Sequence, residues 1–185
     1  MIRLDRVAFR YPEKQVFSGL TLELPGRGAA ALMAPSGYGK TTLLRLLAGL
    51  LQPDGGAIRG MEGRKCAFLF QEDRLLPWLT AEENVSLVSN AEAARHWLAQ
   101  MEIPDGKAYP REMSGGMQRR AALARAMAFG GEVLLLDEPF KGLDEALRSR
   151  VARRIRGVFP LTVLAIHDPE EAALLDAQII HLDAQ

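Results

Sequence analysis

Two hydrophobic rhythms run along the chain. Apolar and polar residues alternate through Ile2–Tyr11 (Ile2, Leu4, Val7, Phe9, Tyr11) and again through Phe17–Leu24, where Leu20, Leu22 and Leu24 share one face. Pro12-Glu13 separates these two strands, and Pro25–Gly28 turns the chain after them. They predict an antiparallel flap leading into a different kind of core. The next runs are apolar on both faces: Ala29–Met33, Cys66–Phe70, Val133–Leu136 and Leu161–Ile166. Such runs suit strands covered on both sides, as in a parallel sheet. Shorter strands are expected near Ala57–Arg59 and at Gln178–Leu182. Helical stretches lie between: from the loop after Met33 to about Leu50, after Thr80, over Ala91–Met101, from Ser114 to Phe129, over Asp144–Val158, and over Pro169–Leu175. Thr80 with Glu83 three residues on has capping-box spacing. Strand alternating with helix predicts an α/β fold with a mostly parallel sheet flanked by helices.

Composition narrows the class without naming a chemistry. At 185 residues the chain is most simply one domain. It is 48% hydrophobic and 25% charged, with formal net charge +0. That balance gives no support for nucleic-acid binding or for an anionic membrane surface. Cys66 is the only cysteine, so no intrachain disulfide can form, which fits a reducing compartment. Charges in MIRLDRVAFR interrupt the apolar core that a secretion signal needs. No apolar run is long enough to span a bilayer, so any membrane role is expected to go through a partner.

The chemistry starts at Ala34–Thr42, APSGYGKTT, between an apolar strand and a leucine-rich helix. This is the context of a phosphate-binding loop. Pro35, Ser36, Gly37, Tyr38 and Gly39 supply backbone around an anion, the helix N-terminus adds partial positive charge, and Lys40 adds a full one. Lys40 is expected on the outer phosphates, Thr41 on Mg²⁺, and Thr42 beside them. Ala34 stands where the pattern has its first glycine; a methyl group fits there if φ is negative. The second signal is VLLLDEP: an apolar strand ending in Asp137 and Glu138. Parallel sheets carry their sites at strand C-termini, so both carboxylates should face the loop's crevice. Asp137 is expected in the Mg²⁺ shell, and Glu138 is expected to polarise the attacking water.

Ser114-Gly115-Gly116 opens a helix, and a serine-glycine helix entry is an anion site. With Met113 and Met117 it forms MSGGM, which resembles the signature motif of ABC-type ATPases. The rest of that family's set follows in chain order over Tyr11–Ala172. Tyr11 resembles the aromatic residue that stacks on adenine. Gln71 resembles the glutamine-loop residue, close to metal and water. Gly142-Leu143-Asp144 resembles the loop after the acidic strand, and His167 in HDPEEA the switch histidine. Met117 and Arg119 both stand where glutamine is usual. Arg119, Arg120 and Arg125 read as a solvated helix face, as do the arginines of Arg148–Arg156.

The resemblance implies a P-loop NTPase fold over residues 1–185, with a helical subdomain at about 72–128. It implies ATP and Mg²⁺ as cofactors, with Glu138, His167 and Gln71 catalytic. It also implies a head-to-tail, ATP-dependent dimer in which Ser114, Gly115, Gly116 and Asp144 serve the partner copy's nucleotide. The expected function is the ATP-hydrolysing subunit of a membrane transporter. An importer is expected, since Leu75-Leu76-Pro77-Trp78 resembles a segment of nitrate, sulfonate, taurine and thiamine-precursor importers. The segment could equally tuck into its own domain. The expected partners are an integral membrane permease and, indirectly, a solute-binding protein, with the chain cytoplasmic and peripheral on the inner membrane face. The alternatives are a nucleotide-gated assembly module with weak or no turnover, and a soluble ABC-type ATPase not tied to transport.

Overall fold

A computed structural model describes residues 1–182. Strands β1 (Ile2–Tyr11), β2 (Lys14–Leu24) and β4 (Gly55–Arg59) form an antiparallel sheet in the order β2-β1-β4. The flap predicted from alternation is therefore present, with β4 added on the far side of β1. β2 starts at Lys14 rather than Phe17, because Lys14 and Gln15 pair with Tyr11 and Arg10.

The second sheet is wholly parallel. Its strands are β3 (Gly28–Met33), β5 (Cys66–Leu69), β6 (Val133–Asp137), β7 (Leu161–Ile166) and β8 (Gln178–His181), in the order β5-β6-β7-β3-β8. β6 and β7 are buried along their whole length, as their apolar runs require. One hydrophobic cluster joins the antiparallel sheet, one face of the parallel sheet and helix α1 (Lys40–Leu47). A second joins the opposite face to α4 (Gly115–Phe129), α5 (Glu145–Ile155) and α6 (Pro169–Leu174).

Helices α2 (Ala81–Ser86) and α3 (Ala91–Gln100) pack on each other and on α4. Thr80 and Glu83 make the expected reciprocal capping box at α2. Asn84, fully buried, ties α2 to the preceding loop: its amide accepts from Leu76 N–H at 2.7 Å and donates to the carbonyls of Leu76, Leu79 and Thr80. Among the described residues no helix is long and apolar enough to cross a membrane.

Candidate active site

Four neighbouring parallel strands deliver side chains or a loop to a common cleft of about 240 Å³. In sheet order they are Gln71 beyond β5, Asp137 and Glu138 at the end of β6, His167 after β7, and the loop from β3 into α1. Register keeps the strand ends level: Leu69 lies beside Leu136, Asp137 beside Ala165, and Met33 beside Ile166. The sheet thus gathers residues that lie far apart in sequence.

Ser36, Gly37, Gly39, Lys40, Thr41 and Thr42 line the cleft. Pro35 and Tyr38 do not; the Pro35 carbonyl accepts from Lys40 Nζ at 3.3 Å, and Tyr38 is exposed. Lys40 also donates to the Ala34 carbonyl, which closes the loop on its own lysine. Ala34 is absent from the residues with positive φ, so its methyl group strains nothing. Burial lowers the Lys40 pKa, although Glu138 and Asp137 pull it back up. A desolvated ammonium of this kind is short of anions, and a phosphate would supply them.

Asp137 is 2% exposed, and burial raises its pKa while a hydrogen bond from Thr41 opposes the shift. Its Oδ2 is buried with no hydrogen-bond partner among the described residues. A carboxylate and a hydroxyl are hard oxygen donors, and the unpaired oxygen gives a cation a reason to bind, so the pair fits Mg²⁺. Among the described residues no group of three His, Cys, Asp or Glu side chains forms a metal cage.

Glu138 takes φ 51°, a left-handed conformation that a non-glycine residue adopts only when its surroundings enforce it. Its Oε1 lies 3.1 Å from His167 Nε2 and 3.4 Å from Gln71 Nε2, and its Oε2 lies 3.6 Å from Lys141 Nζ. Burial raises its pKa, but the His167 hydrogen bond and the Lys141 charge more than offset this, so the net shift is downward. The carboxylate is therefore ionised near neutral pH, the form a base requires.

Tyr11 also lines the cleft, its ring edge-on to Phe9 and its hydroxyl 3.5 Å from Thr42 Oγ1. Lys14 and Val16 join it, and sequence reasoning missed both. Lys14 donates to the Gly37 carbonyl at 3.1 Å. The signal was the two-residue turn after Tyr11, which folds Lys14 back beside it. Lys141 was missed as well, though it stands three residues after Glu138.

Ser114, Gly115, Gly116 and Asp144 contribute nothing to this cleft's lining. Ser114 caps α4 by accepting from Met117 N–H at 3.2 Å. Asp144 caps α5 by accepting from Leu147 N–H at 2.9 Å. Gly116 sits so close to the loop before Asp144 that a Cβ there would lie 3.0 Å from the Gly142 carbonyl.

The arginines of α4 correct the expectation of a solvated face. Arg119 and Arg120 are buried. Arg120 donates to the carbonyls of Met101 and Glu102, just past the end of α3. Arg125 donates to the carbonyls of Asp73 and Arg74, both at 2.8 Å. Loops that leave parallel strands carry unpaired carbonyls into the interior, and a donor-rich guanidinium reaches them where no strand can. In α5, Arg148 pairs with Asp168 and Glu171, and Arg150 pairs with Glu102. The segment Leu75–Trp78 divides: Leu75 packs on the core, whereas Trp78 is 68% exposed. Beside it runs a groove of about 400 Å³, walled by Phe68, Phe70, Leu76, Leu87, Val88 and Phe129.

A phosphate loop, an acidic strand end and a histidine on one parallel sheet define the nucleoside-triphosphatase class. The chain belongs to the ABC transporter family, whose pattern matches residues 17–141. It is 38% identical to an aliphatic sulfonates import ATP-binding protein, SsuB 1, of Pseudomonas savastanoi pv. phaseolicola, over 97% of this chain and 78% of that relative. It is 34% identical to a probable sulfate/thiosulfate import ATP-binding protein, CysA, of Chlorella vulgaris, over 98% of this chain and 87% of that one. Its fold matches the dimeric post-hydrolysis state of the ATP-binding cassette MJ0796 bound to ADP and Pi. That match has TM-score 0.86 and 26% identity, and covers 99% of this chain and 94% of that chain.

Proposed function

We propose that the chain is one ABC-type ATPase domain, with a helical subdomain at about 72–128, that hydrolyses ATP to drive a small-solute importer. The observation that carries this reading is Glu138, ionised and held between Gln71, His167 and Lys141 opposite the phosphate loop. Lys40 and the α1 N-terminus hold the phosphates, and the Tyr11 ring meets the adenine. Thr41, Asp137 and Gln71 would hold Mg²⁺, which would supply neutralisation of phosphate charge there. Glu138 accepts a proton from the water that attacks the γ-phosphorus, while His167 orients that carboxylate and the water. Ser114, Gly115, Gly116 and Asp144 serve the nucleotide of a second copy in a head-to-tail dimer.

The groove beside Trp78 would receive a helix of an integral membrane permease, with a solute-binding protein acting on the far side. A largely apolar groove that includes the exposed Leu87 and Val88, with Arg74 and Arg125 in its wall, is the kind of surface such a helix covers. The chain would then sit in the cytoplasm, peripheral on the inner membrane face.

Glu138→Gln tests the hydrolytic part. The variant should lose ATP turnover yet accumulate an ATP-bound dimer, read by size-exclusion chromatography with light scattering. Wild-type turnover by this variant would refute the role of Glu138.

A further inference from the structure

The Gln71 loop is held from below by one helix. Arg125 of α4 donates to the carbonyls of Asp73 and Arg74. One and a half turns earlier, Arg119 Nη1 donates to the Phe70 carbonyl at 2.6 Å, the Gln71 carbonyl at 3.4 Å and Asp73 Oδ1 at 2.9 Å. The loop is therefore fixed to α4. Only Arg119 also reaches the catalytic strand: its Nη2 donates to the Asp137 carbonyl and, at 2.9 Å, to the Glu138 carbonyl.

We infer that Arg119 is a positioning residue for hydrolysis, whose two guanidinium ends lock the backbone of Glu138 to the Gln71 loop. The inference rests on the reading of Glu138 as the base. The Asp137 and Glu138 carbonyls belong to the two peptide planes that flank the Glu138 Cα. One nitrogen bonded to both fixes the two soft dihedrals of that residue. Glu138 needs such a constraint, because its φ of 51° is unfavourable for a residue with a Cβ. Its N–H bonds to the Ala165 carbonyl at 3.0 Å, which holds one side only. The guanidinium commits its terminal donors to this lock. Both terminal nitrogens are fully used, while Nε is buried with no hydrogen-bond partner among the described residues.

A planar fork can face two loops at once, and a lysine ammonium, a single donor centre, cannot. A glutamine amide offers one NH₂ and can serve one side. The charge also has its own partner, Asp73, on the loop side at 2.9 Å. Displacement of the loop at the groove, where Phe70 and Arg74 form part of the wall, would thus pull on the same guanidinium that sets Glu138.

The test uses Arg119→Lys and Arg119→Gln in the full chain, with amide hydrogen exchange and steady-state ATPase kinetics as readouts. Exchange should accelerate at Glu138 and at Lys141, whose N–H bonds to the Glu138 carbonyl at 3.3 Å, and should be unchanged in α1. The kcat should fall about ten- to a hundredfold, with the KM for ATP moving less than about threefold, because a misplaced base affects the chemical step and not nucleotide binding. In a Glu138→Gln background, R119K should lower the residual rate no further. Unchanged exchange at Glu138 and Lys141, or wild-type kcat in folded R119K, overturns the inference. Wild-type turnover by Glu138→Gln alone overturns the assignment of the base instead, and leaves the exchange result to judge the lock by itself. Should the Arg119 variants fail to fold, Asp73→Asn carries the test. It removes only the loop-side charge and should show the same exchange pattern at smaller amplitude; wild-type exchange and kcat in that variant overturn the inference.

Discussion

Replacing Gly39 by alanine probes how tightly the flap and the phosphate loop are built together. Gly39 precedes α1 with φ 92° and ψ 11°. A side chain in this left-handed region costs about 1–2 kcal/mol. The new Cβ would also lie 2.6 Å from Val16 Cγ1 and 2.7 Å from Phe17 Cζ. Carbon atoms prefer about 3.5–4.0 Å, so one side must yield by roughly 1 Å. Phe17 is 3% exposed and packed in the core shared with α1, so it cannot swing into solvent. Overpacking of this kind costs about 1–3 kcal/mol. The total is about 2–5 kcal/mol, all of it falling on the loop conformation that cradles phosphate. At about 1.4 kcal/mol per decade, nucleotide affinity should fall at least about thirtyfold if the loop shifts to relieve the clash. Titration with a fluorescent ATP analogue measures this, alongside thermal unfolding. Gly37→Ala is the comparison: it shares a positive φ of 84°, but its Cβ would meet only Lys14 Nζ at 3.6 Å. It should lose about five- to thirtyfold, the backbone cost alone. Equal effects from the two variants, or wild-type affinity and melting temperature in Gly39→Ala, would refute the steric argument.

Two further outcomes follow from buried polar groups. Asn84→Ala removes the side-chain acceptor of the Leu76 N–H and a side-chain donor from three carbonyls, two of which keep a backbone partner, and should destabilise the protein by about 2–4 kcal/mol, read as a lower urea midpoint with little change in m. Asp137→Asn should raise the melting temperature of the nucleotide-free protein at neutral pH while abolishing Mg²⁺-dependent hydrolysis. The sign follows from linkage: Asp137 has a raised folded pKa, so above the unfolded value of about 4 the unfolded state releases its proton first, and wild-type stability falls as pH rises through that window. The variant should lack that loss, so a melting-temperature difference independent of pH between about 4 and 7 would count against it.

The legible parts of the fold were those written locally. Two-sided apolar runs marked β6 and β7, and the glycine motif between strand and helix marked the loop that lines the cleft, because both depend on neighbours in sequence. The departure at Ala34 was also decidable in kind, since only the sign of its φ mattered, and that φ is not positive. Sheet order was not written locally. Gln71, Glu138 and His167 meet because β5, β6 and β7 are adjacent, a choice no single strand reveals. The arginines of α4 misled for a related reason. A run of guanidinium groups looks solvated until the loops above it are seen to bring unpaired carbonyls within reach. Arg119 then becomes one of the most connected side chains near the site.

The structure also separates two residues that sequence reasoning grouped together. Ser114 and Asp144 both cap helices and both stay out of the chain's own cleft. Ser114 accepts one hydrogen bond as a cap and keeps its O–H to donate. It stands at the start of a fifteen-residue helix whose first N–H groups face the same direction. Asp144 is acceptor-only when ionised, and one of its oxygens is taken by Leu147 N–H. In the proposed head-to-tail dimer the two would therefore act differently on the partner copy's nucleotide: Ser114–Gly116 as donors to a phosphate, Asp144 as an acceptor. Asp144 also caps α5, next to the Gly142–Leu143 loop that lies against Gly116, where a Cβ would touch the Gly142 carbonyl.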